Sequence, residues 1–95
     1  MESAVFEWDQ KKATTNLRKH RVGFPEASTV FGDPLSVTIR DPDHAFDEDR
    51  FVIVGTSASR RLLVVVHTMR GERIRLITAR IATRNEKLAY QETGF

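Results

Sequence analysis

The chain has 95 residues, 40% of them apolar and 29% charged, with three prolines and no cysteine. That composition fits one soluble domain spanning residues 1–95 and excludes a disordered or fibrous chain, disulfides, thiolate chemistry and cysteine-based zinc sites. The net charge of +2 hides a division: residues 1–49 hold six Lys/Arg and ten Asp/Glu, whereas residues 50–95 hold nine and three, and Lys87 is the only lysine of that basic half.

The apolar runs at 51–54 and 62–66 fall far short of the ~20 residues that cross a bilayer. No basic-then-apolar leader opens the chain, so a cytoplasmic protein without membrane contact is expected. His20, His44 and His67 form no short two-ligand motif, and neither a metal nor another cofactor is expected. A guanidinium fork suits phosphate better than a point charge does. The basic half is therefore compatible with nucleic acid, the alternative being that its arginines pair with the acidic half or are solvated.

Val5-Phe6-Glu7-Trp8 alternates apolar and polar residues and meets Asp9, a good N-cap, which predicts a short strand entering a helix. The helix spans 10–20, with Ala13, Leu17 and His20 on one face and Lys12, Asn16 and Lys19 on a polar one. Pro25 suits the first turn of a second helix carrying Phe24, Ala27, Val30 and Phe31, closed by Gly32. Period-two alternation over 35–40 predicts a strand, followed by the acidic turn-rich segment 41–49. Strands are expected at 51–55, 62–69 and 73–79, joined by hairpin-sized loops. Thr83-Arg84-Asn85-Glu86 is a capping box that starts a last helix running through Leu88 and Tyr90 and stopping near Gly94.

The order predicts an α+β fold: an antiparallel β-meander with an N-terminal strand at its edge, two N-terminal helices and a C-terminal helix, the helices packed on one sheet face. The other face then carries alternate side chains to solvent. On the last strand Arg73 and Arg75 share a face and Ile74 and Leu76 the opposite one. Arg80 falls with Leu76 by strict alternation, and the strand is expected to end before it. His67 fits either a hydrogen-bonded core position or a site, and Trp8 either a core anchor or a base-stacking platform.

A family resemblance lies in Phe6-Glu7-Trp8-Asp9, Lys12, Asn16, Lys19-His20, Val22-x-Phe24-x-Glu26-Ala27, Val30-Phe31-x-Asp33-Pro34, Asp43-His44, Glu48-x-Arg50, Gly55-x-Ser57, Arg61-Leu62-Leu63-x-Val65, Ile74-Arg75 and Ala79-Arg80-x-Ala82-Thr83-x-x-Glu86-x-x-Tyr90. Together these resemble the BrnT toxin family over nearly the whole chain. Thr78 stands where that family commonly has serine, keeping the hydroxyl, and Asp49 replaces a usual glutamate.

The resemblance implies a RelE-like ribonuclease toxin of a type II toxin-antitoxin system that cuts RNA and inhibits translation. It further implies a BrnA-like antitoxin with a ribbon-helix-helix part, through which alone the toxin meets operator DNA. Metal-free cleavage needs a base, an acid and cations for the charge growing on phosphorus. On that footing Glu48 or His20 is expected to transfer protons. Arg50, Arg75 and Arg80 are expected to hold phosphate, and Trp8, Lys12 and Lys19 to contact RNA. The competing class is a non-catalytic basic module that binds nucleic acid or pairs with a protein.

Overall fold

The computed structural model describes residues 4–44 and 49–93. Its elements, in order, are β1 (Val5–Glu7), α1 (Gln10–His20), α2 (Phe24–Ser28) running into a 3-10 turn (Thr29–Gly32), β2 (Val37–Arg40), a second 3-10 turn (Pro42–His44), β3 (Arg50–Thr56), β4 (Leu62–Arg70), β5 (Arg73–Ile81) and α3 (Arg84–Thr93). One sheet in the order β1-β5-β4-β3-β2 makes the fold α+β. The strands from β2 to β5 form the expected antiparallel meander, and β1 joins its edge parallel to β5, so the sheet is mixed.

Local chemistry explains the helix limits. The Asp9 carboxylate accepts the Lys12 N–H at 3.0 Å, which satisfies one of the free donors of the first turn. Arg21, at φ 60°, turns the chain left-handed and closes α1 onto the Leu17 carbonyl, with Arg18, Lys19 and His20 at the negative end of the helix dipole. Thr83 and Glu86 exchange the two bonds of a capping box, at 2.8 and 3.2 Å, and start α3 as expected. The expected stop near Gly94 lies outside the described residues.

The core lies between one sheet face and the two N-terminal helices. Val22, Phe24, Ala27 and Val30 pack on Ile53, Leu63, Val65, Leu76 and Ala79, flanked by Phe6, Trp8, Ala13, Phe31 and Ile74. Gly55 permits this contact, because a Cβ there would come within 2.9 Å of the Ser36 Cβ and 3.2 Å of the Val30 carbonyl. α3 contributes no side chain to this cluster. It does not join the helix layer as expected but is tied to the end of the sheet by Glu86 and by the Tyr90 hydroxyl, which donates to Asp33 at 2.5 Å.

The buried face of α1 also differs from the expected one. Leu17 is 52% exposed, while Asn16, read as part of a polar face, is buried at 5%. β1 pairs only with Arg73, Ile74 and Arg75, so the outer edge of β5 lacks a strand farther along. Asn16 completes it: its amide donates to the Ala79 carbonyl at 2.9 Å and accepts the Ala79 N–H at 3.0 Å, and it also donates to the Val22 carbonyl. A side-chain amide, with donors and an acceptor, can replace a strand there where leucine cannot.

The two halves of β5 are out of phase. Val66 pairs with Thr78 but His67 with Leu76, leaving Ile77 as the extra residue of a β-bulge. One extra residue reverses the inward-outward alternation beyond it. Arg75, opposite Thr68, and Arg80, opposite Val64, thus lie on the same face, the one turned away from the two N-terminal helices. The strand does not end before Arg80, as alternation suggested, but runs through Ile81.

Candidate active site

The cross-strand register lays the cations of this open face in rows. Glu7, Arg75, Thr68 and Arg50 form one row across β1, β5, β4 and β3, and Arg80, Val64 and Val54 form another. Arg50 and Arg80 line a common cavity of 360 Å³ floored by valines. Arg50, Arg75 and Lys12 line an adjoining one of 540 Å³, and Lys12, Lys19 and His20 a third of 350 Å³ on the flank of α1. Ile77, the bulged residue, borders all three.

Arg80 is fixed from behind. Its Nη1 and Nη2 donate to the two carboxylate oxygens of Glu86 at 2.8 and 2.9 Å, a fork-to-fork pair. The Arg80 guanidinium, helped by the capping-box N–H of Thr83, pulls the Glu86 carboxyl down to about 2, and the carboxylate in turn raises Arg80. Glu86 is therefore an anion at every ordinary pH and acts here as a brace. Arg75 has a brace too: it donates to Glu7 at 2.9 Å, and Arg70 and Arg73 stand 3.4 and 3.7 Å from the same carboxylate. Those guanidinium groups, Arg75 first, hold the Glu7 carboxyl below its usual range.

Other expected residues lie elsewhere. Trp8 points to the helix side, its ring edge-to-face with Phe24 at 5.8 Å, and is not brought to the arginines. His67 is the core histidine of the two readings: 4% exposed, against Phe31 and Phe51 at 4.8 and 5.9 Å, and pushed down by burial. Glu48 lies outside the described residues, so its expected proton-transfer role is left to experiment. Among the described residues no group of three or more His, Asp or Glu side chains gathers where a metal ion could be held. Sequence reasoning missed Glu86 and Glu7 as braces. The capping box marked Glu86, but its second duty depends on the bulge that brings Arg80 round.

A family model described as "Ribonuclease toxin, BrnT, of type II toxin-antitoxin system" matches residues 8–86. The chain belongs to the BrnT family. The crystal structure of the Brucella abortus ribonuclease toxin, BrnT, has the same fold, with a TM-score of 0.68 at 19% identity over 86% of this chain and 100% of that one. A comparison with curated proteins finds no match. Membership in BrnT implies a ribonuclease toxin with RNA as its substrate and an antitoxin as its partner. No helix among the described residues is long and apolar enough to cross a membrane.

Proposed function

We propose that this BrnT-family chain cuts RNA internally, with a ribose 2′-hydroxyl attacking the adjacent phosphorus. The new O2′–P bond forms as the P–O5′ bond breaks, leaving a cyclic phosphate and a free 5′-hydroxyl. Arg80 neutralises the charge that grows on the reacting phosphate and Arg50 holds the neighbouring one, so that no metal is required. His20 and Glu48 are assigned the proton transfers, and Arg75, Lys12 and Lys19 the neighbouring RNA. The reading extends to inhibition of translation in the cytoplasm in a RelE-like manner. It includes neutralisation by a BrnA-like ribbon-helix-helix antitoxin that alone contacts operator DNA.

The observation that supports it best is the braced Arg80 facing the same cavity as Arg50, on the face opposite the two N-terminal helices. A guanidinium already held by a carboxylate needs no reorganisation when charge develops beside it, which is where such groups contribute most. The test uses the purified chain, a chelator, and oligoribonucleotides offered both free and on ribosomes, beside copies carrying 2′-deoxy sugars. Cutting of the ribose strands alone, with chelator present, is expected. Cutting of the deoxy strands would overturn the cyclic-phosphate route.

A further inference from the structure

Between the two rows of guanidinium groups runs a row without charge. Ile39, Val52, Val66 and Thr78 are register neighbours on the open face, and Val54 and Val64 adjoin them beside Arg80. These valines floor the 360 Å³ cavity, with Arg50 and Arg80 among its lining residues and Pro42 and Asp43 on its border. Along β4 the partner of the Arg50 row is Thr68 and that of Arg80 is Val64, four residues or ~13 Å apart in a strand. A site for a bare phosphate would bring its cations together. This one holds them apart across an apolar floor.

That is the pattern of a nucleotide: charge at the two phosphates and a flat, weakly hydrated ring between them. Asp43 adds a direction. Its N–H is bonded to the Asp41 carboxylate at 3.0 Å, which fixes the turn. Its own side chain is exposed and borders the cavity. An ionised carboxylate only accepts hydrogen bonds, and it can accept two side by side. Guanine offers two adjacent donors, N1–H and the 2-amino group, whereas uracil offers one donor between two carbonyl oxygens that a carboxylate repels.

We propose that the valine floor is a nucleobase subsite and that Asp43 selects guanine there. The inference rests on the ribonuclease reading and adds the base at which the chain cuts. Its test is a set of otherwise identical oligoribonucleotides with guanine, inosine or uracil at one position, cut by the full chain and by Asp43→Ala. Binding of the 2′-deoxy copies is measured in parallel. Guanine is expected to be preferred over inosine, which lacks the 2-amino group, and over uracil by at least about fivefold, the scale of a lost base contact. Asp43→Ala should bring the three rates together.

Equal rates with all three bases, or a preference that survives Asp43→Ala, overturns the base assignment while leaving the nuclease standing. A Val66→Glu variant checks the floor independently: it should weaken binding of the guanine strand, and unchanged binding counts against the subsite. If no strand is bound or cut, free or on ribosomes, the ribonuclease reading fails and this inference with it.

Discussion

Arg61–Glu26 and Arg80–Glu86 are the same fork-to-fork pair in two surroundings. Arg61 reaches across the chain: it bonds both oxygens of Glu26, its Nη2 donates to the Arg21 carbonyl at 3.1 Å, and Glu26 also accepts the Ser57 hydroxyl at 2.7 Å. The pair therefore staples α1's exit, α2 and the β3–β4 loop together. Arg80 instead bonds a glutamate six residues away, on the first turn of the helix that follows its own strand. It holds no distant segments together and faces a cavity with Arg50. Identical chemistry thus serves the fold where it spans the sequence, and is available to a substrate where it is local and open.

Single substitutions should separate the two roles. Arg80→Ala should slow RNA cutting by about 100-fold or more, the usual loss when one transition-state donor is removed, with the chain still folded and its melting temperature lowered only by the loss of the Glu86 pair. Arg61→Ala should lower the melting temperature by roughly 5 °C while folded molecules keep their cutting rate. An Arg80→Ala protein that unfolds, or an Arg61→Ala protein that folds well but does not cut, would break the comparison.

Asn16→Ala sharpens it from the structural side. The change strands the buried Ala79 N–H and carbonyl together, and denaturant unfolding should show a loss of about 3 kcal/mol. A loss under ~0.5 kcal/mol would mean that water replaces the amide without cost.

Glu86→Gln is the gentler probe. Glutamine still fits the capping box but no longer charges the brace, so cutting should fall by roughly tenfold through a less well placed Arg80. Because the Glu86 carboxyl is lowered from 4.5 to about 2, its contribution to stability is complete above pH 4.5 and is lost as the pH falls through about 2. Wild type and Glu86→Gln should therefore lie farthest apart in melting temperature above pH 4.5 and converge toward pH 2. A gap that widens on acidification would contradict the brace.

Much of the fold was legible because local chemistry fixes it. Asp9 and the Thr83–Glu86 box marked helix starts, and period-two runs marked the meander. The bulge was not, since Leu76-Ile77-Thr78-Ala79 reads equally well with or without an inserted residue, and only pairing with β4 decides. That one residue determines whether Arg80 joins Arg75, so the site was harder to read than the sheet carrying it. Asn16 was misjudged because a buried amide and a solvated one look alike on a helical wheel. Trp8 sits on the core face because Glu7, its strand neighbour, turns toward the arginines.

The most direct measurement is chemical rescue of Arg80→Ala by free guanidinium ion at sub-denaturing concentration, read as the rate of RNA cutting. Rescue by guanidinium, and not by an equal concentration of ammonium, is what a planar cation acting at that position on the open face predicts. Full cutting without any added ion, or equal recovery with ammonium, would contradict it.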